Sequence, residues 1–332
     1  MQTGNCTGVC RPFARCPGTL YHFRDPRRCV RRSAGRPPGN RMSPLVTSHY
    51  HAPTNTWSHI VADPQTNAAA IIDPVLDFDP ASGRIWTEHA RALLAHAGEH
   101  ALRVEWILET HAHADHLTGA AWLKAELAKS GGARTGIGAG IVAVQRHFCG
   151  VFAFGADFRA DGSQFDRLFV DGERIALGAL EIEIIATPGH TSDGITYKFG
   201  DAVFVGDTLF APTGGTGRCD FPGADAATQY RSIRRLYDLP DETRVFLCHD
   251  YPAAGVQPVA QTTIGAEKAG NTQLRSETSE ADYVAFRHKR DATLAAPRLL
   301  YPSLQVNICA GRLPAPDAAD RRFLQLPVQV RD

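Results

Sequence analysis

The sequence predicts an α/β fold, on two observations. β-rich runs alternate with helical runs along the chain, and four of the β-rich runs end in histidine or aspartate. Layers of this kind collect side chains from separate strand ends at one sheet edge, where loops on a rigid base carry chemistry. Size agrees: 332 residues with 43% hydrophobic content suffice for one large domain with a buried core, or two modest ones.

Residues 1 to 41 stand apart. They hold nine arginines against the single acid Asp25, together with Cys6, Cys10, Cys16 and Cys29, and show no helical or strand period. The cysteines admit a zinc site and the Arg-rich, acid-poor composition admits a transit peptide. Because Met1 and Met42 are the chain's two methionines, the favoured reading starts the functional protein at Met42, with the leader an upstream translation or a disordered tail. Subtracting the leader leaves 35 − 9 = 26 basic and 35 − 1 = 34 acidic residues, a net of −8 over 42 to 332, which argues against a nucleic-acid partner. No stretch reaches the roughly eighteen apolar residues of a membrane span, and no apolar export signal opens the chain. Cys149, Cys219, Cys248 and Cys309 are scattered, as free thiols in a reducing compartment would be, so the expected location is cytoplasmic with no membrane partner.

From Trp57 the pattern turns regular. Residues 57 to 74 read as two strands around a Pro-Gln-Thr-Asn turn, and residues 83 to 100 have helical spacing at Ile85, Ala90, Leu93 and Leu94. "LRVEWILET" reads as a strand; the next helix is expected to open on Asp115 as its cap and stop at Gly131-Gly132. "LEIEIIATPGHT", "AVFVGDTLF" and "TRVFLCHDY" are further strands, with a helix over residues 227 to 239 before the last. Beyond Tyr251 the pattern predicts one more helix, ended by Pro297, in an extension of residues 252 to 332 docked on a catalytic domain of residues 42 to 251.

The chemistry sits at the strand ends. "ETHAHADHLTGA" places His111, His113, Asp115 and His116 after one strand, and other β-rich runs end at His190, Asp207 and His249. Imidazole and carboxylate are the ligands of zinc and non-haem iron, and seven such residues exceed the four a tetrahedral ion uses. Two ions, or one ion with supporting polar groups, are implied. His89, His96, His100 and His147 read as ordinary core or surface residues. Burying the dense cluster without a metal would be costly.

The pattern His-x-His-x-Asp-His, followed by a distant His, Asp and His, resembles the metallo-β-lactamase superfamily over about Trp57 to Tyr251. The resemblance implies an αβ/βα four-layer sandwich with metal at one edge, and gives Asp73 of "AIIDP" the task of orienting the metal loop; a plain turn residue before Pro74 is the alternative. "TPGHT", "GDTLF", "CHDY" and residues 262 to 275 look like the branch shared by glyoxalase II thioesterases and persulfide dioxygenases. "GTGRCDFPGAD" is closer to the Gly-Arg-x-Asp-Phe of the dioxygenases, and the long helical carboxyl-terminal domain typical of glyoxalase II is missing, which favours oxidation.

The two activities would use the ligands differently. For hydrolysis, the resemblance implies two Zn(II): one on His111, His113, His190 and Asp207, a second on Asp115, His116, His249 and the shared Asp207, activating water against a thioester. For oxidation it implies one Fe(II) per chain on His111, His190 and Asp207, with the other four as supporting groups and glutathione persulfide, or a related small persulfide, going to sulfite and thiol. Ligand identity does not separate the two; what favours oxidation is the resemblance over Arg218 to Phe221. Arg218 and Tyr251 are the candidate substrate-binding residues, against an ion pair of Arg218 with Asp220. Cys219 reads as an inert small residue or a reactive thiol, and Arg231, Arg234 and Arg235 as a solvated helix face. A homodimer and a sulfurtransferase are the protein partners considered, and a non-catalytic sulfur-relay or scaffold module is the third function class, disfavoured by the intact ligand set.

Overall fold

A computed structural model describes Met1 and residues 43–155, 157–253, 255–328 and 330. The chain divides into two units, Met1–Arg41 and Met42–Asp332, and every element below belongs to the second. The Arg- and Cys-rich leader, with its zinc and transit-peptide readings, lies outside the described residues apart from Met1.

In chain order the first half contains β1 (Leu45–His51), β2 (Thr56–Ala62), β3 (Ala68–Ile72), β4 (Val75–Asp79), β5 (Arg84–Trp86), α1 (Glu88–Glu99), β6 (Arg103–Leu108), β7 (Leu117–Thr118), α2 (Ala120–Leu127), β8 (Arg134–Gly138), α3 (Ile141–Val151) and β9 (Arg167–Phe169). The second contains β10 (Arg174–Leu177), β11 (Leu180–Ala186), β12 (Ile195–Phe199), β13 (Ala202–Phe204), α4 (Ala226–Tyr237), β14 (Arg244–Phe246), β15 (Gln261–Thr263), α5 (Ile264–Gly270), α6 (Glu280–Asp291) and α7 (Leu300–Asn307).

Two six-stranded sheets result, ordered β1-β2-β3-β6-β8-β9 and β10-β11-β12-β13-β14-β15, beside a small sheet β5-β4-β7. The β2–β3 hairpin pairs antiparallel as its turn predicts, while β3, β6, β8 and β9 run parallel. Parallel strands need both faces covered, and they have it. Ile72, Leu108, Phe169, Ile184, Tyr197 and Phe204 meet between the sheets. Leu93 of α1 and Leu123 of α2 cover the outside of the first sheet, and Ile233 and Leu236 of α4 with Tyr283 of α6 cover the second. The expected four-layer αβ/βα sandwich is the observed one.

Three local expectations need correction. The helix after the histidine cluster begins at Ala120 behind Gly119, not on Asp115, because Leu117–Thr118 is spent pairing with β4 and Asp115 turns into the site. Regular structure starts at Leu45 rather than Trp57, with β1 zipped to β2. The carboxyl-terminal extension holds three helices instead of one, and α6 stops at Asp291, ahead of Pro297.

Candidate metal centre

The centre forms where β3, β6, β11, β13 and β14 end at one edge of the sandwich. The loop His111–His116 leaves β6, and its shape is set by carboxylates and an amide reaching it from three sides. Asp73, in the left-handed region at φ 49, accepts the Thr110 N–H at 2.7 Å and the Thr110 hydroxyl at 2.9 Å, and lies 3.0 Å from His113 Nε2. Asp193 accepts the Ala112 N–H at 2.8 Å. Asn307 at the end of α7 donates to the carbonyls of His113 and His116, both at 2.8 Å, and accepts the Thr118 N–H at 2.8 Å. These bonds satisfy a buried loop whose backbone would otherwise be orphaned.

The remaining donors arrive singly. His190 follows β11, and its Nδ1 donates to the Arg218 carbonyl at 2.7 Å, which leaves Nε2 for an ion. Asp207 sits in a single helical turn after β13, behind Gly206 at φ 53; a Cβ on Gly206 would lie 2.6 Å from Thr110 Oγ1, so only glycine lets this turn approach the histidine loop. His249 follows β14. Its Nδ1 lies 3.2 Å from the Asn55 carbonyl and 3.3 Å from Thr56 Oγ1.

Two groups of donors emerge. One ligand atom from each of His111, His190 and Asp207 lies within 4.8 Å of the others, and the same holds for His113, His116, Cys248 and His249. Asp207 spans both: Oδ2 lies 3.5 Å from His190 Nε2 and Oδ1 lies 3.3 Å from His249 Nε2, which is also 3.0 Å from Asp115 Oδ2. The structure thus brings together all seven sequence-predicted ligands.

Their hydrogen bonding fits a metal. His113 Nδ1 and Nε2, His116 Nε2, Asp207 Oδ1 and His249 Nε2 are buried and lack a hydrogen bond of proper geometry. Each such orphan costs about 1–3 kcal/mol in a folded interior; His116, His249 and Asp207 each offer theirs within a group of neighbouring donors, which suits ions instead. Protonation agrees for two of the imidazoles. Burial, then the neighbouring rings, holds His111 well below the usual histidine range, and burial takes His116 down to about 3, so both are neutral. At His113 burial acts in the same direction, but Asp73 outweighs it and raises the ring to about 10. Glu109, behind it, is pushed up to about 8 by burial and by Asp73.

A cavity of about 470 Å³ is lined by His190 and Asp207 of the first group and by Asp115, but not by His111. Arg218 lines it, but its guanidinium forks onto Asp220 at 2.5 and 2.6 Å and donates to the Ala295 carbonyl at 2.7 Å. Tyr251, 61% exposed, stands at the wall with its ring stacked near His249. Arg290 and Arg298 also face the cavity, in no ion pair found among the described residues. Sequence reasoning missed both, and missed Asp193, Asn307 and Asn55. Burial pushes the Cys219 thiol up to about 12, which disfavours its thiolate. Arg231 and Arg235 pair with Glu280 and Asp171, and Arg234 donates to the Ser276 carbonyl, all away from the cavity.

The sequence pattern of the metallo-beta-lactamase superfamily matches residues 51–249. A beta-lactamase hydrolase-like protein of Agrobacterium fabrum is 45% identical over 83% of this chain, which spans only 63% of that protein's length. The human mitochondrial persulfide dioxygenase ETHE1 is 27% identical, over 76% of this chain and 85% of its own. Among solved structures, ETHE1 from Myxococcus xanthus superposes with a TM-score of 0.64 at 27% identity, covering 81% of this chain and all of that one. Among the described residues no helix is long and apolar enough to cross a membrane.

Proposed function

This chain belongs to the metallo-β-lactamase superfamily, and on that premise we propose that it is an iron-dependent dioxygenase of glutathione persulfide or a related small persulfide. The reaction is RSSH + O2 + H2O giving RSH, sulfite and two protons: the outer sulfur is oxidised, dioxygen is reduced, and water supplies the third sulfite oxygen. The observation that carries the reading is the position of the dioxygenase-like loop Arg218–Phe221, hydrogen-bonded to His190 and lining the cavity beside Asp207, with His111, His190 and Asp207 as the two-histidine, one-carboxylate set. Fe(II) on such a face would supply dioxygen activation beside a sulfur ligand.

The chain's own residues do the rest. The Arg218 carbonyl fixes the tautomer of His190, and Asp73 fixes Thr110 and through it the first histidine of the loop. Phe210 and Phe221 provide apolar wall beside the ligands, excluding water from the reacting sulfur. Arg290 and Arg298 offer the cations that two glutathione carboxylates need. Arg218 serves by shaping this wall, its charge being met by Asp220, and Tyr251 by bordering the entrance. Similarity to the human persulfide dioxygenase and to the Myxococcus ETHE1 structure supports this reading.

A second reading has its own observation. The His113, His116, Cys248 and His249 group, with Asp207 reaching both groups, has the donors for a second ion, as a binuclear zinc thioesterase requires, and the 45% identical relative is called hydrolase-like. Paired assays separate the two. Oxygen uptake with sulfite release from glutathione persulfide is the expected result; thiol release from S-lactoylglutathione without oxygen uptake replaces the first reading by the second.

A further inference from the structure

Helix α6 lies in the carboxyl-terminal extension, outside the segment that supplies the ligands, yet it carries a fully buried ion pair, Arg287 with Asp291. Buried pairs are poor stabilisers, because desolvation offsets much of their attraction. What they hold is geometry, and this pair holds one loop. Asp291 Oδ2 accepts the Cys219 N–H at 2.9 Å. Arg287 donates to the Thr216 carbonyl at 3.2 Å and to Gln273 Oε1 at 2.8 Å, the same oxygen that accepts the Thr216 hydroxyl at 3.0 Å. Residues 216 and 219 are thus pinned from the extension side.

Between those pins the loop touches two ligands. The Gly217 N–H donates to the Asp207 carbonyl at 3.1 Å, and the Arg218 carbonyl accepts from His190 Nδ1 at 2.7 Å. The approach is so close that a Cβ on Gly217 would lie 2.1 Å from the Asp207 carbonyl oxygen and 3.1 Å from His190 Nδ1. Loop position and ligand position are therefore one variable.

We infer that Arg287 and Asp291 are positioning residues: the extension, through this pair and the Thr216–Cys219 loop, sets where His190 and Asp207 stand relative to His111. The inference rests on the reading of those three residues as a metal set. It gives the extension a task at His190 and Asp207 beside the one Asn307 performs at the His113 and His116 carbonyls.

The test uses the full-length protein, stripped of metal and titrated with Co(II), with affinity and the visible d–d spectrum as readouts and a denaturant midpoint as the fold control. In R287M/D291L both charges leave together, so no unpaired buried charge remains and a cooperative fold is expected, with a midpoint lowered by the partners that the Cys219 N–H and the Thr216 carbonyl lose, while Co(II) affinity falls about 10- to 100-fold, the usual cost of losing an outer-shell support, and the spectrum changes. R287K, which keeps the charge but loses the fork, is expected to fall between the two. Should the double variant not fold, Q273L, which removes the oxygen shared by Arg287 and Thr216, is read in the same way. Wild-type affinity and spectrum in a folded R287M/D291L overturn the inference. H190A separates the two levels: if it loses Co(II) while the double variant does not, only the positioning role fails, and if H190A binds as wild type does, the metal set fails with it.

Discussion

The two donor groups differ in what they face. In the first, His190 and Asp207 border the cavity, with side chains 9% and 11% exposed. In the second, His113, His116 and His249 are wholly buried, and His113 leans on Asp73 and Glu109. Within the short motif itself, Asp115 borders the cavity whereas His113 and His116 are sealed away from it. The difference teaches that ligand type places a metal, whereas access decides which ligands can share it with reactants.

The sharpest break of that comparison is at the reachable group. H111A, H190A and D207A should each lose metal and at least about 10³-fold in activity, since a three-ligand face has none to spare; metal content and oxygen uptake check this. The Asp73 support comes next. D73A strips acceptors from the Thr110 N–H and hydroxyl and a partner from His113, so a loss of about 3 kcal/mol in denaturant unfolding is expected.

A separate pH signature lies in His59 of β2, whose ring is buried against the Leu247 carbonyl and is lowered by burial to about 4 from 6.5. Below pH 6.5 the unfolded chain takes up a proton that the native ring refuses, so unfolding binds more protons and stability falls as pH drops, flattening below about 4. The loss across that window approaches about 3 kcal/mol. H59F should flatten this part of the stability–pH curve, and an unchanged slope would locate the proton uptake elsewhere. Smaller still, H116A should cost about 10- to 100-fold in activity if the sealed group only supports the first. R290A/R298A should raise KM several-fold with kcat nearly unchanged, as loss of a carboxylate contact does; a fall in kcat alone would remove these arginines from substrate binding.

How much of this was legible varied with range. The seven ligands stood out because their chemistry is dense and they fall at the ends of four β-rich runs. The strands and sandwich followed from alternation and the family pattern. The placement of α2 did not, since Asp115 has the chemistry of a helix cap and local propensity yielded to the site and to the pairing of Leu117–Thr118. β1 was hidden beside the Arg-rich leader, and Asp193, Asn307, Arg290 and Arg298 act on residues far away in the chain, where no local pattern betrays them. The Arg218–Asp220 fork, by contrast, was visible two residues apart.

Metal counting on anaerobically purified protein tests the central claim most directly. One iron per chain, retained in H116A and lost in H190A, is the outcome the access argument predicts. Two zinc ions per chain, both departing with either histidine, would contradict it.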